Sequence, residues 1–171
     1  AARVVAVTGT NGKSSLCRLL AGACRNAGLA SVEVGNSGVP MSAWLAGEET
    51  LPGRETVCIA EISSFQAEQL AVLQPDSVLW TTFAPDHLSQ HGGLGNYFAA
   101  KCRLLDRLVT GGRAWAGPSV AVAYRQLGCP VPPTLTFLQP AANAPEPPGF
   151  GVPNIGWQLA RAWFDAEGLP Q

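Results

Sequence analysis

The segment Thr8–Ser15 (TGTNGKSS) combines residue types that together could bind a polyphosphate. Its glycines let the backbone approach a phosphate closely, and the amides at the start of a following helix would point towards the same place. The Lys13 ammonium would reach the β and γ oxygens, and the Ser14 hydroxyl would coordinate Mg²⁺. A glycine-rich turn with a chance Lys-Ser pair is the structural alternative. The candidate nucleotide-binding residues are Gly9, Thr10, Asn11, Gly12, Lys13, Ser14 and Ser15.

This loop departs from the full Walker A motif. That motif, G-x-x-x-x-G-K-S/T, requires a glycine five positions before Gly12, where the chain has Val7. The loop is therefore a variant, which narrows the families to which it can belong.

The segments around the loop predict an α/β fold. Arg3–Val7 is a β-branched run before the loop, and Ser14–Ala27 has the apolar spacing and length of a helix that ends at Gly28. Further strands are predicted at Ser31–Val34, Thr56–Ala60, Ser77–Trp80, Arg113–Ala116 and Thr134–Phe137. Further helices are predicted at Met41–Ala46, Phe65–Leu73, Asn96–Leu108, Ser119–Leu127 and, after a long loop at Gln139–Pro153, Asn154–Ala166. This alternation predicts a doubly wound, mainly parallel sheet with a phosphate-binding loop.

The composition sets limits on size, partners and compartment. A chain of 171 residues with 47% hydrophobic residues is enough for one domain with a buried core. A net charge of −1 without a basic stripe argues against a nucleic-acid partner. Neither a signal sequence nor an apolar stretch that could span a membrane is present, and five cysteines without a C-x-x-C pair favour a reduced, cytoplasmic compartment.

Lysine is rare in this chain. Of the 11 basic residues, only Lys13 and Lys101 are lysines, and the remaining nine are arginines. A genome biased towards arginine codons would explain this, but a lysine retained under such a bias could also do chemistry that a guanidinium cannot.

The phosphate loop and four other segments resemble one enzyme family. TGTNGKS with its shortened spacing resembles the Mur ligases and the related folylpolyglutamate synthetases, which use ATP to join an amino acid to a carboxylate. Glu61–Gln66 (EISSFQ), at the end of a predicted strand, resembles the family branch that adds D-glutamate. Gly35–Gly38, Pro85–Leu88 and Tyr97–Lys101 resemble further motifs of that branch, in the expected order. The resemblance covers residues 3–108 well and weakens through 109–150.

The resemblance implies a domain organisation and an activity. Residues 1–171 would form a Mur ligase central, ATP-binding domain, and the uridine-binding domain before it and the amino-acid-binding domain after it would be absent from this chain. The implied reaction adds D-glutamate to UDP-N-acetylmuramoyl-L-alanine in peptidoglycan synthesis, through an acyl phosphate, with ATP and Mg²⁺. The implied partners are these small molecules and the missing domains, with no nucleic acid and no membrane. The fragment alone is not expected to complete the ligation.

The resemblance also implies roles for individual residues. Lys13, Glu61, His87 and Lys101 would be catalytic, and Ser14, Glu61, His87 and Lys101 would face the metal ions, with Lys101 as a carbamate formed with CO₂. Asn36, Ser63 and Gln66 would bind the muramoyl-alanine substrate, and Asn154 would contact adenine.

Three of these residues have plain structural alternatives. Glu61 could cap the helix after it, His87 could be a structural loop histidine, and Lys101 could be an ordinary solvated helix lysine. His91 has no match in the family pattern and is predicted to be structural.

Several positions differ from the family pattern. Thr82 replaces an asparagine, Ser89 replaces an acidic residue, the N-x-D-D turn is absent from Ala114–Val120, and Pro153–Trp157 has lost a histidine and an asparagine. Two alternative functions stay open. One is a folylpolyglutamate synthetase or another Mur ligase, and the other is a non-catalytic, nucleotide-binding paralogue.

Overall fold

The fold is built on one parallel sheet, seen in a computed structural model that describes residues 2–46, 56–138 and 155–167. Within these residues the strands are β1 (Arg3–Thr8), β2 (Ser31–Gly35), β3 (Val57–Glu61), β4 (Ser77–Trp80), β5 (Arg113–Ala116) and β6 (Leu135–Phe137). They pair in the order β2-β3-β1-β4-β5-β6, and every pairing is parallel. The predicted α/β class and parallel sheet are confirmed.

Helices cover both faces of this sheet. They are α1 (Lys13–Asn26), α2 (Met41–Leu45), α3 (Ser64–Glu68), α4 (Leu88–His91), α5 (Leu94–Asp106), α6 (Pro118–Leu127) and α7 (Ile155–Glu167). Because β3 and β4 are buried along their whole length, they have continuous apolar runs rather than alternating ones. The pleat of β1 sends Val5 and Val7 to one core and Ala6 to the other.

The two cores differ in their side chains. On one face, Leu16 and Leu20 of α1 pack with Leu159 and Trp163 of α7. On the other face, Trp80 of β4 lies among aromatic and aliphatic residues that α5 and α6 contribute. Both cores hold the carboxyl ends of β1, β3 and β4 at one edge of the sheet, where open α/β sheets bind their ligands.

Most predicted elements are confirmed, with two corrections. The helix predicted at Phe65–Leu73 ends already at Glu68, and the one-turn helix α4 was not predicted. Gln139–Pro153 and Asn154 lie outside the described residues, so the loop and the adenine contact predicted there stay predictions. All five cysteines are free thiols. No helix among the described residues has the length and apolar character needed to cross a bilayer.

Candidate active site

The phosphate loop lies between β1 and α1, as the sequence predicts. Gly12 directly precedes α1 with a φ of 84°, a left-handed conformation that favours glycine. Gly9 has a φ of 146°, and a Cβ atom there would lie 2.0 Å from Thr81 Oγ1. Glycine at position 9 therefore lets the loop lie directly against the segment that follows β4.

Two threonines after β4 hold the phosphate loop in place. The Thr10 amide donates to the Thr82 carbonyl over 2.9 Å, and the Asn11 amide donates to Thr82 Oγ1 over 3.0 Å. The Thr81 hydroxyl donates to the Asn11 carbonyl over 2.5 Å. Thr82, a departure from the family pattern, is thus a direct support of the loop, a role that the sequence analysis missed.

Two ammonium groups converge on the carbonyl of Gly9. Lys13 Nζ donates to the Gly9 and Thr10 carbonyls, both over 3.1 Å. Lys101 Nζ, which comes from α5, donates to the Gly9 carbonyl over 3.0 Å and to Thr8 Oγ1 over 3.5 Å. Since one carbonyl oxygen carries far less negative charge than two ammonium groups carry positive charge, this point suits an anionic ligand.

Lys101 is buried, which contradicts the alternative of a solvated helix lysine. Its residue is 1% exposed, and its ammonium lies 4.8 Å from the centre of the Tyr97 ring. Burial, with a smaller contribution from the positive charge of Lys13, lowers the pKa of Lys101 to about 7, although Asp86 acts in the opposite direction. A large neutral fraction near pH 7 is what a lysine needs in order to react as a nucleophile.

Glu61, at the end of β3, is held as a carboxylate. It accepts hydrogen bonds from Asn36 Nδ2 over 3.0 Å and from Ser37 Oγ over 2.5 Å. Burial by itself would raise the pKa of Glu61, but the bonds from Ser37 and Asn36 act against burial. A further hydrogen bond from Ser14 and the charge of Lys13 add to this, and the pKa is lowered below its usual value.

The structure assigns the cap of α3 to Ser63, so the alternative that Glu61 caps this helix is wrong. The backbone amide of Gln66 donates to Ser63 Oγ over 3.2 Å, and the backbone amide of Ser63 donates to Gln66 Oε1 over 2.9 Å. This reciprocal pair is a capping box. The S-x-x-Q spacing could have revealed it in the sequence. The substrate-binding roles of Asn36, Ser63 and Gln66 stay predictions.

His87 lies at the start of α4 with a φ of 51°, a left-handed conformation that is uncommon outside glycine. Its ring is half-exposed and lies 3.5 Å from the Asp86 carboxylate. The strained backbone projects this side chain into the same cleft as the two lysines.

A small cleft brings many of these groups together. Its volume is about 40 Å³. It is lined by Gly9, Thr10, Lys13, Ser63, Ser64, Phe65, Asp86, His87, Tyr97 and Lys101. Glu61 lies beside the phosphate loop, because it pairs with Val7, directly before the loop, in the register of β3 with β1. Tyr97 also belongs to this group, although its sequence pattern indicates no role for it. Its hydroxyl lies 3.1 Å from Thr10 Oγ1, and its ring lies under the Lys101 ammonium.

The donor set fits Mg²⁺ only in combination with a phosphate. Within residues 2–46, 56–138 and 155–167, no three acidic, histidine or cysteine side chains lie close enough to hold a metal ion by themselves. Mg²⁺ commonly binds to one or two carboxylates together with substrate phosphates and water. Glu61, the Ser14 hydroxyl and the neighbouring phosphate loop match that mode.

Comparison with known proteins decides the family. The family model described as the Mur ligase middle domain matches residues 7–122. The chain belongs to the Mur ligase family. A UDP-N-acetylmuramoylalanine–D-glutamate ligase from Cereibacter sphaeroides is 35% identical over 96% of this chain. The enzyme of the same name from Trichodesmium erythraeum is 46% identical over 60% of it.

The relatives are longer than this Mur ligase domain. The chain spans 34% of the Cereibacter sphaeroides protein and 21% of the Trichodesmium erythraeum protein. Among solved structures, a MurF ligase from Thermotoga maritima in complex with ADP superposes with a TM-score of 0.62. That match has 17% sequence identity and covers 81% of this chain and 32% of the other, so it supports the fold alone.

Proposed function

We propose that this chain is the ATP-binding middle domain of a ligase that adds D-glutamate to UDP-N-acetylmuramoyl-L-alanine. The observation that carries the proposal is the meeting of Glu61–Gln66 with the phosphate loop at one edge of the sheet. The names of the relatives support the same substrate pair. The uridine-binding and amino-acid-binding domains would belong to the same enzyme, which would work in the cytoplasm without nucleic acid or membrane.

The residues of the cleft suit the transfer of a phosphoryl group from ATP to the substrate carboxylate. Lys13 would exchange its contacts with the loop carbonyls for the β and γ oxygens, and the backbone amides at the start of α1 would hold the same phosphates. Charge on the phosphoryl group in transfer would be stabilised by groups that are already in place. The resulting acyl phosphate would then be attacked by the amine of D-glutamate.

The metal ions would be held by Ser14, Glu61, His87 and the carbamate of Lys101. Mg²⁺, when bound, supplies charge neutralisation on the phosphate oxygens. Glu61 is suited to this role because its hydrogen bonds keep it ionised. Lys101 is suited to carbamate formation because its neutral amine can attack the carbon of CO₂ and release a proton. Lys101, which is a cation beside Lys13 when protonated, would become an anionic carbamate.

The test is an assay of the full-length protein with ATP, UDP-N-acetylmuramoyl-L-alanine and D-glutamate. We expect ADP and phosphate to form in step with the amide, and Lys13→Met to abolish turnover. Lys101→Arg should lose activity, whereas Lys101→Ala should regain part of it with added acetate, a small carboxylate that can replace the carbamate. Exposed Arg103, also on α5, gives the matched control, and Arg103→Ala should keep full activity.

Two results would reject the proposal in different ways. Turnover only with a folate and L-glutamate would assign the chain to the folylpolyglutamate synthetases. ATP binding without turnover of any acceptor would favour the non-catalytic paralogue, an alternative that rests on the departures from the family pattern at Thr82, Ser89 and Trp157.

A further inference from the structure

A buried histidine next to the cleft links two short helices. His91 Nε2 lies 2.9 Å from Ser64 Oγ, and His91 Nδ1 lies 2.8 Å from Glu68 Oε1. The His91 side chain is 0% exposed, whereas that of Glu68 is 43% exposed. The imidazole is therefore a buried connector with a polar partner on each ring nitrogen.

The hydrogen-bond chemistry of this group follows from its acceptors. An ionised carboxylate can only accept, so the proton on Nδ1 of His91 must point to Glu68. In the neutral imidazole, Nε2 then accepts from the Ser64 hydroxyl. The order serine, histidine, carboxylate is that of a nucleophilic triad, but Ser64 is 3% exposed and the more exposed end is the carboxylate. This burial favours a role in holding the helices together.

The connection fixes α3 against α4. Ser64 is the first residue of α3 and Glu68 is its last, so one ring holds both ends of this helix. His91 is the last residue of α4, and its amide donates to the carbonyl of His87 over 3.1 Å. The Gln90 amide donates to the same carbonyl over 3.1 Å. A displacement of the His91 ring would therefore be passed on to His87 within a single helical turn.

Ring contacts strengthen the same connection. Phe65 stacks on His91, with ring centres 4.7 Å apart and planes 14° apart, and its ring centre lies 5.4 Å from that of His87. The ring of Tyr97 lies 5.1 Å from that of His91 on another side. Phe65 is thus in contact with both histidines, and Tyr97 joins the group to the phosphate loop and Lys101.

We propose that His91 is a positioning residue that holds α4 against α3 and thereby sets the place of His87 relative to Ser63 and the phosphate loop. This inference rests on the proposed function, since His87 matters there as a metal ligand. An apolar residue could fill the same space, but it could not satisfy Ser64 and Glu68 together.

The experiment compares His91→Gln, Glu68→Gln and their double variant in the full-length protein, with Gln69→Ala, an exposed site next to α3, as the control. Mn²⁺ serves as the metal probe, in ligation assays and in binding titrations with ADP present. We expect His91→Gln to raise the Mn²⁺ concentration for half-maximal activity by about tenfold, as loss of an outer-shell support commonly does. The KM for D-glutamate, which the proposed function assigns to the separate amino-acid-binding domain, should stay unchanged.

The double variant tests whether the residues act as one unit. If Glu68 acts on the metal site only through His91, the double variant should need no more Mn²⁺ for half-maximal activity than His91→Gln alone. Ser64→Ala is a milder change that removes one partner of the ring, and it should shift the Mn²⁺ dependence in the same direction if His91→Gln does not fold.

Three outcomes are distinguishable. An unchanged Mn²⁺ dependence in variants that only unfold more easily would overturn the positioning role. Labelling of Ser64 by a fluorophosphonate, lost in His91→Gln, would overturn it as well, because Ser64 would then be a nucleophile. If the wild-type protein ligates nothing, the proposed function fails, and the Mn²⁺ titrations with ADP still decide the role of His91.

Discussion

Replacement of Lys101 by methionine should stabilise the domain, and the gain should depend on pH. The folded state lowers the pKa of this lysine from 10.5 to about 7, chiefly through burial. Between these values the unfolded chain binds a proton that the folded chain does not, so folding becomes more favourable as the pH rises. Since one pKa unit corresponds to about 1.4 kcal/mol, the buried lysine costs the folded state about 5 kcal/mol below pH 7.

Not all of this free energy is recovered in the variant. Lys101→Met leaves the carbonyl of Gly9 with one donor fewer, and Lys13 remains as its partner. The lost hydrogen bond from a charged donor costs about 1.5–3 kcal/mol, which leaves a net gain of about 2–3.5 kcal/mol at pH 6.5. Because the penalty at Lys101 shrinks as the pH approaches 10.5, the gain should fall by about 2 kcal/mol between pH 6.5 and pH 8.5.

Urea unfolding in CO₂-free buffer at several pH values would measure this difference. Subtracting the wild-type curve from the variant curve cancels every titrating group that the two proteins share. The free energy of unfolding of the wild type should rise with pH relative to that of the variant. A difference between the two proteins that stays constant from pH 6.5 to pH 8.5 would refute the argument, because Lys101 would then have its ordinary pKa in the folded state.

Three further predictions concern residues of the cleft and the support of Glu61. Gly9→Ala should destabilise the domain by more than about 3 kcal/mol in thermal unfolding, because the new Cβ atom would lie 2.0 Å from Thr81 Oγ1. Gly95→Ala is the control, since a Cβ atom at that position of α5 meets open space, and this change should be neutral or stabilising. Ser37→Ala should cost about 1.5–3 kcal/mol at pH 7. Because the pKa of Glu61 in the folded state lies below 4.5, the loss should shrink only as the pH falls below that value, which a series of urea unfolding curves from pH 7 downwards would show. Tyr97→Phe removes a hydrogen bond to Thr10 and should cost about 0.5–1.5 kcal/mol by the same assay, with weaker ADP binding in calorimetry. Equal ADP affinity in Tyr97→Phe and wild type would contradict a link between Tyr97 and the loop.

The fold could be predicted because its inner strands, β1, β3, β4 and β5, are mostly buried. The strands Ser77–Trp80 and Arg113–Ala116 have the predicted bounds, because turn residues on both sides limit where a short buried strand can begin and end. The one-turn helix α4 could not be predicted, because four residues show no helical period and its first turn depends on the left-handed backbone of His87. The early end of α3 at Glu68 likewise leaves too few turns for a periodic pattern.

The site could be predicted only in its residue types. The pattern of the loop indicated what Lys13 and Ser14 could do, and the family resemblance pointed to Glu61 and Lys101. Lys101 and Gly9 are more than ninety residues apart in the sequence. Their contact depends on how α5 is placed relative to the carboxyl end of β1. A local sequence pattern cannot predict a contact between residues so far apart. The contacts of Thr82 and Tyr97 with the phosphate loop could not be predicted for the same reason.

Lys13 and Lys101 both donate to the carbonyl of Gly9, so the charge of each affects the other. Lys13 helps to lower the pKa of Lys101, which favours the neutral amine that can take up CO₂. Carbamate formation would then place an anion beside Lys13 and so remove the repulsion between the two lysines, which adds to burial in lowering the pKa of Lys101. Arginine at position 101 would stay charged in the same surroundings and could not react. All other basic residues of this chain are arginines, and the proposed carbamate requires a lysine at position 101.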